Sequence, residues 1–62
     1  MKLKQLLKCM DPLEVIEMVV IPDHLSFRCQ VEDIRSDQPK LLKLKVKSVY
    51  ITTSLIICIE VN

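Results

Sequence analysis

Sixty-two residues admit one domain, 1–62, with a thin margin of stability, because a fold this small buries only about 60% of the surface its unfolded chain exposes. Nine basic and eight acidic residues leave a net charge of +1, too balanced to single out nucleic acid as a partner. The chain has no glycine, which excludes the glycine-cradled phosphate loops of nucleotide-binding folds.

Residues 2 to 10 are predicted as a short amphipathic helix. Leu3, Leu6, Leu7 and Met10 fall at i, i+3, i+4 and i+7 on one face, with Lys2, Lys4, Gln5 and Lys8 opposite. Asp11-Pro12 ends it, since proline pushes its predecessor out of the α region. Such a short helix is unstable alone in water, so its leucines must dock on a sheet. Residues 14 to 21, rich in β-branched side chains, are the first predicted strand. Ile21-Pro22-Asp23-His24 suits a type I turn, with proline in second place. In the second strand, residues 25 to 32, Leu25, Phe27, Cys29 and Val31 alternate with Ser26, Arg28, Gln30 and Glu32. These two strands are expected to form an antiparallel hairpin.

Residues 33 to 40 read as a polar loop or a single helical turn, with Ile34 tucked inward. A third strand is predicted over 44 to 52 and a fourth over 55 to 61, joined by a turn at Thr52-Thr53-Ser54. Leu42, Leu44 and Val46 alternate with Lys43, Lys45 and Lys47, but Val49 and Ile51 are out of phase with them, which calls for a bulge near Lys47-Ser48. The fold class that follows is α+β: a short N-terminal helix on a four-stranded antiparallel sheet of two β-hairpins.

One helix covers one side of such a sheet. The first strand carries apolar residues on both faces, and so does the fourth. Ile16, Met18, Val20, Ile56 and Cys58 are therefore the expected interface of a homodimer packed sheet on sheet.

Candidate chemistry is sparse. His24, the single histidine, lies in a turn beside Asp23 with no nucleophile or metal partner in sequence, so no catalytic role is expected. Glu14 and Glu17 fall on opposite faces of a strand and cannot act as a dyad. Cys9, Cys29 and Cys58 are odd in number and widely spaced. They suggest neither a disulfide framework nor a zinc motif, and read as reduced thiols in a cytoplasmic protein. No metal or cofactor is expected. The late apolar run, Leu55 to Ile59, is far short of the ~20 residues of a membrane span. The one charge cluster is Lys40, Lys43, Lys45 and Lys47, and strand spacing points its last three lysines the same way. Lys43, Lys45, Lys47, Arg28 and Tyr50 are the candidate contact surface for an acidic protein partner. Guarding a strand edge and binding nucleic acid are the competing uses of the lysines.

Lys2-Leu3-Lys4-Gln5-Leu6-Leu7, Asp11-Pro12, Val31-Glu32-Asp33-Ile34, Val46-Lys47-Ser48-Val49-Tyr50 and Leu55-Ile56-Ile57-Cys58-Ile59-Glu60-Val61 together resemble a family of short, uncharacterised proteins from Firmicutes phages and prophages. The hairpin turn departs from the acidic, glycine-containing turn of that family. The resemblance implies a helix followed by two β-hairpins and no catalytic residues. It also implies a role such phage proteins often have, inhibition of a bacterial immune system (anti-CRISPR or other anti-defence) by stoichiometric binding to a host protein.

Overall fold

The leucine spacing of the N-terminus and the two expected hairpins are present, and the way the hairpins join is not the expected one. The structure is a computed structural model that describes residues 1–62. In chain order its elements are α1 (Leu3–Leu7), β1 (Val15–Val20), β2 (Leu25–Gln30), α2 (Val31–Asp37), a 3-10 helix (Pro39–Lys43), β3 (Val46–Ile51) and β4 (Ile57–Val61). The strands form one sheet in the order β2-β1-β4-β3. β1 pairs antiparallel with β2, and β3 with β4. β4 is inserted beside β1 and runs parallel to it, Ile16 facing Ile57 and Val20 facing Val61. The sheet is therefore mixed, which corrects the expectation of a purely antiparallel one. The strands with apolar residues on both faces, β1 and β4, are the two central ones, where both faces are most shielded.

The helices lie on one face. Leu3 and Leu7 from α1, with Val31 and Ile34 from α2, close over Ile16, Met18, Val20, Ile59 and Val61, and these nine residues are the core. Ile34 is the inward plug expected of it, but on a helix. Residues 31–37 are helical where the end of the second strand and then a loop or single helical turn were expected, because Asp33 turns back to accept the Gln30 backbone N–H at 3.1 Å. That bond satisfies a donor that an uncapped helix start leaves orphaned. Val31 N–H also donates to Glu14 O and Glu32 N–H to Pro12 O, both at 2.9 Å. β2 consequently ends at Gln30, two residues early. Pro39 then opens the 3-10 helix that carries the chain back over α1 and α2 to β3.

The predicted bulge is present, as a register shift in β3 between Val46 and Ser48. The predicted first turn is present too, with His24 N–H donating to Ile21 O at 3.2 Å. A chain without glycine must put other residues where turns need positive φ. His24 takes φ 50° and Leu55 takes φ 61°. At Leu55 the Thr52–Leu55 turn is closed by Leu55 N–H to Thr52 O and Thr52 N–H to Ile56 O, both 2.9 Å. A left-handed leucine strains against its own Cβ by about 1–2 kcal/mol, and glycine's extra flexibility offsets part of the relief. Leu55→Gly is expected to stabilise the fold by about 0.5–1 kcal/mol, read as a higher urea midpoint with an unchanged slope. A lower midpoint would mean that the exposed leucine makes a stabilising contact.

Candidate functional site

Side chains alternate across a strand, so the residues between the core positions form a second, helix-free face. The registers align them in rows. Arg28 on β2, Glu17 on β1, Cys58 on β4 and Tyr50 on β3 form one row. Ser26, Val19, Glu60 and Ser48 form the next. At the usual strand spacing Arg28 and Tyr50 stand about 14 Å apart, on the same face but not in contact.

The middle of this face is a small polar cluster. Ser48 Oγ donates to Glu60 Oε1, and Tyr50 OH donates to Glu60 Oε2 at 3.5 Å. Two donors thus approach one carboxylate across β3 and β4, Ser48 closely and Tyr50 at the outer limit of a hydrogen bond. Cys58, level with Tyr50, is only 2% exposed although it is outside the helix-covered core cluster. Sequence reading overlooked Glu60. Ser48 and Tyr50 share a strand face, and Glu60 shares one with Cys58, but only the β3–β4 register brings the two pairs together.

Tyr50 is the group most altered by this setting. The Cys58 sulfur beside its hydroxyl is the first cause, disfavouring a negative charge on the phenol. Desolvation and the Glu60 carboxylate add to this, and the phenol is pushed up from 10.0 to about 12. The fold prefers the neutral phenol. That preference stabilises the protein fully below pH 10 and is lost as pH rises from 10 to about 12. The chain has one tyrosine, so the absorbance of its phenolate is expected to rise with a midpoint near 12 in the native state and near 10 in urea. A native midpoint at the unfolded value would sink this account of the cluster.

The remaining candidates are placed apart. Lys43 lies in the 3-10 helix, Lys45 precedes β3, and Lys47 sits at the bulge, all exposed. They are not three teeth of one strand face, because the 3-10 helix and the bulge each break the alternation. They do share a corner, which Lys2 joins through its antiparallel bridge to Lys45. Of the expected dimer residues, Ile16, Met18 and Val20 are sealed under this chain's own helices, at 0%, 0% and 3% exposure. They face away from the open side of the sheet, so an interface there would not meet them. Ile56 is half-buried, and Cys58 is the only one of the five buried on the open face. The open face is also less apolar than expected, since Arg28, Glu17, Glu60, Ser26 and Ser48 stand among its valines. The exposed apolar side chains gather elsewhere, notably at Val49, Ile51 and Leu55.

Cys29 is raised by burial first and then by Asp33 and Asp37 on α2, which holds its thiol protonated and weakly nucleophilic. His24 is exposed in its turn. No three His, Cys, Asp or Glu side chains are placed to hold a metal ion. A cleft of about 220 Å³ between α1 and α2 is lined by Leu7, Met10, Pro12 and Val31 with Lys8, Glu32 and Arg35 at its sides. It is smaller than the roughly 300–1,000 Å³ that enclose a drug-sized ligand. No helix is long and apolar enough to cross a membrane. No protein-family model, curated protein or solved structure matches the chain.

Proposed function

We propose that this chain is a non-catalytic protein-binding module, a phage-encoded inhibitor of a bacterial immune system that acts in the host cytoplasm by occupying a partner's surface. Its contact surface in this reading is the open sheet face, with Tyr50 and Arg28 as anchors and the Lys43, Lys45 and Lys47 corner alongside. The observation that carries it is Tyr50, an aromatic side chain 46% exposed on a strand, with its hydroxyl directed toward Glu60. An aromatic with few free rotamers gains contact area at little entropic cost, and Tyr and Arg are the residues most enriched at interface hot spots. In this reading the module also self-associates as a homodimer.

The test is capture of partners by the tagged chain from nuclease-treated host-type lysate. Recovery of one defence protein in stoichiometric amount supports the reading. Tyr50→Ala and the triple Lys→Glu variant at 43, 45 and 47 are then expected to weaken that complex by at least about tenfold each, on the scale of a hot-spot loss. Unchanged binding by both variants overturns the surface, and capture of no partner overturns the inhibitor.

A second reading has its own observation. The Lys2–Lys45 bridge gathers four lysines at one corner, as a phosphate-binding protein would. Nucleic-acid binding through them predicts an affinity that falls steeply with salt, at a slope of about −0.9 per neutralised phosphate on duplex DNA. A flat salt response removes it.

A further inference from the structure

β3 is an outer strand of the sheet, and its free edge is blocked over only half its length. Leu3 N–H donates to Leu44 O and Val46 N–H to Met1 O, both at 2.8 Å, so residues 1–3 cover the edge as far as Val46. From Lys47 to Ile51 nothing covers it. Thr52 N–H points inward to Ile56 O at 2.9 Å. Inward and outward groups alternate along an antiparallel strand, so Tyr50 and Ser48 bond inward, while Val49 and Ile51 turn their N–H and C=O groups outward.

Natural edges are guarded by charge, proline or a covering segment. The β2 margin carries Ser26, Arg28 and Gln30. On β3 the free stretch opens with Lys47 at the bulge, but Val49, Tyr50 and Ile51 carry no charge, proline or cover. Val49 and Ile51 stand 49% and 67% exposed, and Leu55, just past the strand, stands 85% exposed. Val49 and Ile51 are on the helix side of the sheet, level with Ile59 and Ile57, but the helices do not reach them.

We propose that this edge pairs antiparallel with the same edge of a second copy, about a two-fold axis perpendicular to the sheet, giving a continuous eight-stranded sheet. This rests on the homodimer in the reading above and not on the identity of any partner. The strand is self-complementary in one register. Val49 faces Ile51 of the second copy and the reverse, exchanging their outward N–H and C=O groups, and Tyr50 faces its own equivalent on the open side. Both are favourable cross-strand pairs, β-branched on β-branched and aromatic on aromatic. In that register Ser54 of the second copy comes level with Val46, where residues 1–3 begin to cover the edge. Strand therefore faces strand over Val49 to Ile51, and the Thr52–Leu55 turn of the second copy lies level with Ser48, Lys47 and Val46. A three-residue edge buries much less than the roughly 1,200 Å² of a stable interface, so the dimer is weak and forms at high concentration.

Two measurements test it together. Sedimentation equilibrium up to about 1 mM is expected to show a dimer with a dissociation constant of roughly 100 µM or above. Amide exchange by NMR over the same range is expected to slow at Val49 and Ile51 and to stay unchanged on β2. The Val49→Lys, Ile51→Lys double variant, which alters only exposed side chains, is expected to keep its circular dichroism and weaken dimerisation at least about tenfold. A wild-type chain that stays monomeric throughout overturns both this interface and the homodimer. A wild-type dimer that the double variant forms equally well, with Val49 and Ile51 still unprotected, overturns the edge alone. Protection of those amides only when a different protein is added overturns the second copy as occupant.

Discussion

Ile59→Ala is expected to lower stability by about 4 kcal/mol, in the upper half of the range for truncating a fully buried isoleucine. Ile59 is 0% exposed, sits on a central strand and pairs with Met18 on one side and Val49 on the other. No flexible loop lies beside it to collapse into the space, so the cavity term adds to the lost transfer energy. A domain of this size has only about 3–9 kcal/mol in total. The variant should therefore keep at most about 5 kcal/mol, and at the lower end of that range it populates unfolded chains under native conditions, as read by circular dichroism in urea. A loss under about 1 kcal/mol would be typical of a surface position and would contradict a sheet with β4 at its centre.

Ile34→Ala is expected to cost about 3 kcal/mol, close to the penalty for a strand residue in the core. Ile34 is the residue by which α2 is held to the sheet, 1% exposed beside Leu3, Leu7 and Val31. Were residues 33–40 a loop with a loosely inserted side chain, the neighbours would relax and the loss would fall toward 1 kcal/mol or about that. Arg35→Ala, one residue on and exposed, is the control and should change stability by no more than about 0.5 kcal/mol. Equal effects at the two positions would show that α2 does not dock through Ile34.

The local elements were legible because each has a local cause. The leucine spacing in α1, the alternation in β2, the Pro22 turn and the phase slip at Lys47-Ser48 all concern residues near one another in sequence. Even so, α1 is trimmed to Leu3–Leu7, because Cys9 and Met10 close onto Leu6 and Leu7 as a tight turn. α2 was hidden by coincidence. Val31 continues the alternation of Leu25, Phe27 and Cys29, and as the first residue of a helix it still points into the core. Strand order was not legible at all. Apolar residues on both faces of β1 and β4 are what neighbouring central strands carry, and the same pattern suits a face that awaits a second copy. The choice depends on where β4 inserts, a non-local matter. The candidate site suffered likewise. Tyr50 and Arg28 were singled out, but their shared face and the Glu60 clamp exist only once four strands are in register.

The parallel pairing of β1 with β4 also constrains how the chain acquires its shape. It joins residues 16–20 to residues 57–61, so the centre of the sheet is completed by the last of these four strands to be synthesised. Until residues 57–61 emerge from the ribosome, β1 has one neighbour, and the β1–β2 hairpin, with few strands to lean on, is marginal in water. Folding then has to close a long loop before its most buried contacts form, which makes it slow for a domain of this length. A nascent chain stalled short of Ile57 would expose Ile16, Met18 and Val20 as an unpaired apolar strand, a substrate for chaperones and proteases.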